Sequence, residues 1–301
     1  MGYYSEFINN QLELWEEARN NYAALGKTQR RAMTCGDMTV GIQFNPARIR
    51  STSANVSADA IKKRDCFLCA ENRPKEQIAL PIAGRFELLI NPYPIFPVHF
   101  TIASVNHEPQ SRMPDEMMVL AEELPGLTIF FNGAKAGASA PDHLHLQAVA
   151  THELPLMRFV EEHHIGSEEG VKRSDELSDN FPFLFYSAVI APTDEGMKQL
   201  RWMMSQCGVD EEGRKDYGKV NSFFWISEND GKLRVVVIPR KSHRPKCYSL
   251  PEEERKMVSP GAVDMAGILI TPREEDYLSL TESDVKEIYK DVAYSPKDDV
   301  K

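Results

Sequence analysis

The sequence lacks the features that mark membrane proteins, secreted proteins and general nucleic-acid binders. It contains no run of eighteen apolar residues, and its first residues have neither the basic nor the apolar segment of a signal peptide. The five cysteines are an odd number without the spacing of a disulfide framework, which is typical of a reducing compartment. A net charge of −10 argues against nucleic acid as a partner. We therefore expect a soluble cytoplasmic protein without a membrane or nucleic-acid partner.

What the sequence does contain is enough apolar material for a large core. Its 301 residues are 42% hydrophobic, which suits one large or two medium domains. Apolar residues at helical spacing predict a helix over residues 5–25, with Gly26 as its stop. Strict alternation predicts a strand over residues 38–44. Two apolar segments, 220–227 and 232–239, enclose an Asn-Asp-Gly turn and predict a hairpin.

The most informative stretch is residues 132–147. A buried strand is predicted just before it, and ten small or polar residues then allow the backbone to approach a ligand closely. From His143 the chain alternates polar and apolar residues, so His143, His145 and Gln147 would share one face of a strand. A single histidine on a strand is more often structural than catalytic. Two imidazoles and an amide beside such a loop predict a reactive site.

The His-Leu-His-Leu-Gln segment at 143–147 resembles the His-x-His-x-Gln signature of the nucleotidyl-transferring branch of the histidine-triad superfamily. That branch contains galactose-1-phosphate uridylyltransferase, diadenosine tetraphosphate phosphorylase and GDP-L-galactose phosphorylase. Its hydrolase relatives usually have a third histidine where this chain has Gln147. The segments Pro-Arg-Lys-x-His-Arg at 239–244 and Gly-Ala-x-Asp-x-Ala-Gly at 261–267 are similar to the phosphorylase group. The resemblance covers roughly residues 65 to 295 and is specific only near 143–147.

The resemblance implies an α+β fold of the histidine-triad type. We expect two related halves, each an antiparallel sheet flanked by helices. Residues 1–192 would carry the signature, and residues 193–301 would complete the pocket. The sequence leaves open whether the protein forms a homodimer.

A Cys-x-x-Cys pair at Cys66 and Cys69 predicts a metal site, because two thiolates at this spacing can chelate one ion. Alone, the pair is also compatible with a redox motif, with chance, or with buried thiols that pack as small hydrophobes. The resemblance to the uridylyltransferases implies Cys66, Cys69, His107 and His143 as ligands, with zinc as the expected metal. His107 matches the family only by its order in the chain and its place after a strand.

The resemblance and the chemistry of a phosphoanhydride together suggest a mechanism. Neutral imidazole can attack a polyanionic substrate at neutral pH. We expect His145 to attack the α-phosphorus, forming a nucleotidyl-histidine that inorganic phosphate then accepts. Gln147 would donate a hydrogen bond to the phosphoryl oxygens. His143 would orient the loop through a metal or through a carbonyl that fixes the tautomer.

Other segments predict contacts with the rest of the substrate. The Asn91-Pro92-Tyr93-Pro94 segment and His99 resemble the part of histidine-triad proteins that lines the base and ribose pocket. Between residues 231 and 251 there are six Lys or Arg and no Asp or Glu, which suggests a phosphate seat. The alternatives are ordinary packing of the tyrosine and a solvated basic loop. The expected substrate-binding residues are Asn91, Tyr93, His99, Asn132, Ser139, Arg240, Lys241 and His243.

Several substrates and functions agree with these residues. A GDP-hexose or other nucleotide sugar with inorganic phosphate comes first, because the C-terminal segments resemble GDP-L-galactose phosphorylase. A diadenosine polyphosphate comes second. The uridylyltransferase reaction comes third, because the chain has His-Leu-His rather than His-Pro-His. Two readings of other kinds remain: a hydrolase that uses water, and a non-catalytic, metal-stabilised nucleotide-binding module.

Overall fold

The computed structural model describes residues 2–163, 170–210, 212–298 and 300. Its strands in chain order are β1 Gln29–Cys35, β2 Met38–Phe44, β3 Leu80–Ile82, β4 Phe86–Ile90, β5 His99–Ser104, β6 Leu127–Asn132, β7 His145–Ala150, β8 Lys172–Arg173, β9 Tyr186–Val189, β10 Val220–Ile226, β11 Leu233–Pro239 and β12 Ile268–Thr271. Its α-helices are α1 Gly2–Leu14, α2 Glu16–Ala24, α3 Ile49–Thr52, α4 Ala58–Lys62, α5 Met117–Glu123, α6 Pro155–Glu162, α7 Asp194–Met204, α8 Ala262–Met265, α9 Glu274–Ser279 and α10 Glu282–Val292.

A nine-stranded sheet forms the middle layer of the molecule. Its strand order is β3-β4-β5-β7-β6-β10-β11-β9-β8, and every neighbouring pair is antiparallel. The predicted hairpin is present as β10 and β11, and its turn contains Gly231 with a φ of 70°. Only glycine adopts such a backbone conformation without strain, which explains the turn residue.

A second, three-stranded sheet has the order β1-β2-β12. The strands β1 and β2 are antiparallel, whereas β12 runs parallel to β2. The strand predicted over residues 38–44 is confirmed as β2. Together with α6, α8, α9 and α10, this sheet covers one face of the nine-stranded sheet, and its apolar residues share one core with Phe130, Val149 and Trp225 of that face.

The opposite face of the nine-stranded sheet packs against α1, α2, α5 and α7. Leu144, Leu146 and Ala148 lie in this core, as the alternation in the sequence predicts. Odd-numbered residues of β7 therefore point to the layer that holds the second sheet. The site residues described below lie on that side.

The predicted fold class, an α+β fold with antiparallel sheets flanked by helices, is confirmed by the structure. The single helix predicted over residues 5–25 is wrong, because Trp15 takes an extended conformation, with φ −119° and ψ 99°, between α1 and α2. Its side chain is buried in the core there. Gly26 does not end the helix; α2 ends at Ala24, and a short 3-10 turn, Leu25–Lys27, runs through the glycine.

The nine-stranded sheet is continuous across residue 192. Strand β6 pairs with β10, and β11 pairs with β9, so two strands from after this residue lie between strands from before it. The division into halves 1–192 and 193–301 stays a prediction. Within the described ranges, no helix has both the length and the apolar character needed to cross a bilayer.

Candidate active site and metal cluster

Strand β7 and the residue pair before it carry the predicted signature. His145 lies opposite Ala103 and Gln147 opposite Thr101 of β5, so both side chains leave the sheet on the same face. His143 precedes the strand and is fully buried. His145 and Gln147 therefore share one face of β7, whereas His143 lies outside the strand.

The tautomer of His145 follows from its hydrogen bonds. Its Nδ1 lies 2.8 Å from the backbone oxygen of His143, and because a carbonyl only accepts, Nδ1 carries the proton. Burial lowers the pKa of His145 to about 4, which keeps the ring neutral. In a neutral ring with a protonated Nδ1, the lone pair is on Nε2. Among the described residues, the hydrogen bonds of His145 are made by its backbone groups and by Nδ1, and none is made by Nε2.

A second histidine, His99, orients Gln147. The backbone N–H of Ile95 donates to His99 Nδ1 over 3.1 Å, so the ring proton is on Nε2. That proton is donated to Gln147 Oε1, 2.8 Å away. The amide nitrogen of Gln147 has no hydrogen bond in the described part of the chain. Burial lowers the pKa of His99 to about 3, so this arrangement persists at neutral pH.

A cleft opens beside Gln147, which lines it. Of the predicted substrate residues, three line it: Asn132, Ser139 and His243. His145 is 4% exposed and does not itself line the cleft; it lies two positions before Gln147 on the same face. The cleft also contains Arg48, Arg244 and Asp264, which the sequence-based prediction of the site did not include.

Asn132 joins the small-residue loop to the start of α8. Its Oδ1 accepts from the backbone N–H of Ala262 at 2.7 Å and from Asn221 Nδ2 at 3.1 Å. Gly137 of the loop has a φ of 102°, and a Cβ there would lie 2.5 Å from the Cα of Gly261. The small residues of this loop thus permit a close approach of two backbone segments at the cleft.

The remaining predicted pocket residues lie behind or beside the cleft. His99 is fully buried and reaches the cleft only through Gln147. Asn91 donates to Thr101 Oγ1 at 3.1 Å, and its Nδ2 lies 3.4 Å from His99 Nε2. The hydroxyl of Tyr93 donates to Glu17 at 2.9 Å. Neither Asn91, Tyr93 nor His99 lines this cleft, and their role in a base and ribose pocket stays a prediction.

Arg240 and Lys241 are also placed differently from the prediction. Arg240 is fully buried and donates to Asn221 and to the carbonyl groups of Val292 and Pro260. Lys241 forms an ion pair with Asp298 at 3.2 Å. Neither side chain lines the cleft. The guanidinium of Arg240 donates to other groups in the interior, and Lys241 faces the C-terminal segment.

Two other arginines provide positive charge at the cleft. Arg48 donates to the carbonyl of Tyr93 at 2.7 Å, while its Nε is buried without a hydrogen-bond partner. Arg244 donates to Ser259 Oγ at 3.1 Å and to the carbonyl of Ala54 at 2.9 Å. Arg244 belongs to the basic segment that the sequence analysis identified, whereas nothing local to Arg48 distinguishes it.

Asp264 is a buried carboxyl group in the cleft wall. It accepts from the backbone N–H groups of Gly261 and Ile270, each at 2.9 Å. Burial raises its pKa to about 6 against these hydrogen bonds and the nearby charges of Arg48 and Arg240. The Gly-Ala-x-Asp segment of the sequence contained this residue, but the carboxyl group had no predicted role.

The four residues expected to bind a metal come together next to the signature. The donor atoms of Cys66, Cys69, His107 and His143 all lie within 4.8 Å of one another. Cys66 Sγ is 3.2 Å from His143 Nδ1, and Cys69 Sγ is 3.2 Å from His107 Nδ1. The other nitrogen of His143 donates to the carbonyl of Ser104 at 2.8 Å.

Two thiols and two imidazoles are a donor set that tetrahedral Zn²⁺ prefers, so these residues fit the metal. The hydrogen bond from His143 to Ser104 is the kind of outer contact that orients a ligating imidazole. With four protein donors, the coordination shell would be closed, as in structural zinc sites.

Comparisons with known proteins agree with this fold. A family model described as a domain of unknown function, DUF4922, matches residues 7–150. No curated protein matches the sequence. The crystal structure of yeast Ap4A phosphorylase Apa2 is similar over 94% of this chain and 97% of that chain, with 14% identity and a TM-score of 0.59. Its complex with Ap4A gives 14% identity and a TM-score of 0.58, over 94% of this chain and 98% of that chain. The chain therefore shares the overall fold of this phosphorylase.

Proposed function

We propose that this protein is a nucleotidyltransferase of the phosphorylase type, which cleaves a nucleotide phosphoanhydride through a covalent intermediate on His145. The observation that carries the proposal is the hydrogen bond from His145 Nδ1 to the His143 carbonyl. It leaves the lone pair of a neutral imidazole on Nε2, on the strand face where Gln147 meets a polar cleft. Neutral imidazole is a suitable nucleophile toward a polyanion.

In the first step, Nε2 of His145 attacks the α-phosphorus, and the bond from this phosphorus to the bridging oxygen breaks. The leaving group departs as a phosphate anion, such as a sugar 1-phosphate, and needs no proton. In the second step, an oxygen of inorganic phosphate attacks the same phosphorus, the P–N bond breaks, and a nucleoside diphosphate leaves with His145 restored. The α-phosphate must pass Gln147 to come within about 3–3.5 Å of Nε2.

Gln147 is the residue that favours transfer over hydrolysis. His99 holds its Oε1, so the amide nitrogen can donate to a phosphoryl oxygen as negative charge develops. An amide cannot protonate an alkoxide leaving group, and this suits a leaving group that is already a stable anion. The fixed orientation of this amide supports a substrate whose leaving group is a phosphate.

The charges of the cleft suit a phosphate chain. Arg48 has a buried Nε with no partner, and a guanidinium can bind a phosphate group through two N–H donors. Arg244, His243 and Ser139 line the same space. We propose that these residues hold the phosphates beyond the α position, in the role that Arg240 and Lys241 were expected to fill.

We propose zinc as a structural component held by Cys66, Cys69, His107 and His143. When bound, it would fix the side chain of His143 in place. The backbone oxygen of that residue holds His145, so the cluster supports the nucleophile without taking part in a step.

The substrate we propose first is a nucleotide sugar such as a GDP-hexose, because of the resemblance of the C-terminal segments. A dinucleoside polyphosphate is the second candidate. It is supported by two arginines at the cleft, which suit a longer phosphate chain, and by the fold shared with a yeast protein named for Ap4A.

The test is a screen of nucleotide sugars and dinucleoside polyphosphates with and without inorganic phosphate, with the intact mass of the protein as a second readout. We expect a nucleotidyl adduct when phosphate is omitted and turnover when it is added. His145→Ala should form no adduct and lose turnover by at least about 10⁴-fold. The exposed His152 provides a matched control, and His152→Gln should behave as the wild type. Full activity of His145→Ala, or equal turnover without phosphate, would contradict the proposal.

A further inference from the structure

The strands β6 and β7 separate at the end of the sheet that carries the site. Their pairing runs from Leu127 opposite Ala150 to Phe130 opposite Gln147 and stops there. Beyond this point β6 follows β10, with Asn132 opposite Asn221, and β7 follows β5, with His145 opposite Ala103. A gap therefore opens between Asn132 and His145, two of the proposed site residues.

The side chain of Gln110 fills this gap. Its Nε2 donates to the backbone oxygens of Asn132 and His145, each at 2.8 Å. Its Oε1 accepts from the backbone N–H of His145, also at 2.8 Å. The residue is fully buried, and its own backbone N–H donates to the carbonyl of Pro141 at 3.0 Å. One residue thus holds both strand ends and the end of the small-residue loop.

The amide of Gln110 replaces a missing rung of the sheet. A side-chain amide has the same donors and acceptor as a peptide group, so it can pair with both strands while keeping them further apart than direct pairing allows. Without it, two carbonyl groups and one N–H would lose their partner in the buried interior, which is unfavourable. Direct pairing of Asn132 with His145 would satisfy them, but it would draw the two residues together and move both side chains.

We propose that Gln110 is a positioning residue, which sets the separation of the backbone at Asn132 and His145 and so places the imidazole and the loop for nucleotidyl transfer. The inference rests on the proposed function. It goes beyond it by assigning a role to a residue outside the signature and outside the cleft wall. Gln110 acts through main-chain groups and does not touch the substrate.

The test compares two buried glutamines. In Gln110→Met the side chain keeps its approximate length and loses its hydrogen bonds. Gln11 provides the matched control: it is equally buried, and its amide also bonds a carbonyl and an N–H, those of Glu76 and Ile78, through a helix remote from the cleft. The measurements are the single-turnover rate of His145 nucleotidylation, the KM for the nucleotide substrate, the melting temperature, and hydrogen exchange of the His145 amide.

We expect both variants to have a lower melting temperature, but only Gln110→Met to slow nucleotidylation. The rate should fall by about 100-fold, which is the loss expected when a reacting group is misplaced by about 1 Å. The KM should change less than the rate does, because Arg48, Arg244 and His243 of the cleft wall are not bonded to Gln110. The His145 amide should lose protection in Gln110→Met and keep it in Gln11→Met. If Gln110→Met does not fold, Gln110→Glu takes its place. The glutamate can still accept from the backbone N–H of His145 but cannot donate to the carbonyl groups of Asn132 and His145, so nucleotidylation should slow in the same way.

A folded Gln110 variant that reacts within threefold of the wild-type rate overturns the inference, as does an equal loss of rate in Gln11→Met. The exchange measurement separates this failure from failure of the proposed function. If the wild-type protein forms no adduct with any substrate, the proposed function fails. Unchanged protection of the His145 amide in Gln110→Met would then still show that Gln110 does not hold the gap.

Discussion

The Cys/His cluster and the cleft are neighbouring regions that meet at residues 143–147, yet their polar groups are arranged in opposite ways. At the cluster, the donor atoms of Cys66, Cys69, His107 and His143 face one another within 4.8 Å. At the cleft, Gln147 and Arg48 line an open space, and each has side-chain N–H groups without a partner among the described residues.

The difference separates a stabilising region from a reactive one. Groups that satisfy one another hold the chain together, whereas groups with unsatisfied donors can bind an incoming anion. His145 lies between the two regions. Its Nδ1 donates to the carbonyl of His143, which belongs to the cluster, and its side chain lies on the same face of β7 as Gln147, which lines the cleft. The two regions should therefore respond differently to substitution.

The largest effect is expected from loss of the proposed metal. The double substitution Cys66→Ser and Cys69→Ser should remove bound zinc and lower the free energy of unfolding by about 5 kcal/mol, a part of the binding energy of a structural zinc site. Metal analysis and denaturant unfolding check this. Cys247, half-buried and outside the cluster, provides the control, and Cys247→Ser should keep both metal and stability. A wild-type protein that binds no zinc would remove the basis of the comparison.

A smaller effect, on binding rather than stability, is expected at the cleft. Arg48→Gln should raise the KM for a phosphate-rich substrate by about 100-fold, since a hydrogen bond to a charged group contributes roughly 1.5–3 kcal/mol. Lys241→Gln should leave the KM unchanged, because its ion pair with Asp298 lies outside the cleft and such pairs contribute about 0–1 kcal/mol. Steady-state kinetics of both variants decide this, and equal KM values would contradict the role of Arg48.

The smallest effect is expected at His99, which holds Gln147 from behind the cleft, and it is a change in the pH dependence of the free energy of unfolding. His99 has a lowered pKa of about 3, so it stays neutral when folded, whereas an unfolded imidazole takes up a proton below about 6.5. The unfolded state then binds more protons, and stability falls as the pH falls, by about 1.4 kcal/mol per unit. Between pH 7 and pH 5, His99→Gln should lose about 2 kcal/mol less than the wild type in urea unfolding. If the free energies of unfolding of the wild type and of His99→Gln change in parallel with pH, His99 is not a buried, neutral histidine.

Much of the site's local geometry was predictable from sequence. The alternation predicted that Leu144, Leu146 and Ala148 enter the core and that His145 and Gln147 share the opposite face, because strand periodicity is a local property. The Cys-x-x-Cys pair and His143 were expected at one cluster, and the structure brings them together although 74 residues separate Cys69 from His143. The resemblance supplied that long-range pairing, since spacing alone left several alternatives open.

The arginines show where such prediction stops. Arg240 and Arg244 lie four positions apart in one basic segment, and of the two only Arg240 was expected to bind the substrate. In the fold, Arg240 is enclosed by carbonyl groups, while Arg244 reaches the cleft. Nothing local separates the two residues, because their surroundings come from distant segments. The proposed role of Gln110 could not be predicted from sequence for the same reason. Its side chain fills a gap between β6 and β7 that exists only in the assembled sheet.

By itself, the sequence determined the strand that presents His145 and Gln147, the thiol pair with His143 as its expected partner, and the class of fold. The tertiary structure alone decided that Gln147 faces a cleft and that Arg48 and Arg244 supply its charge. The physical reason is that periodicity sets the direction of a side chain relative to its own strand, whereas the partners it meets depend on the order of strands in the sheet and on what packs over it.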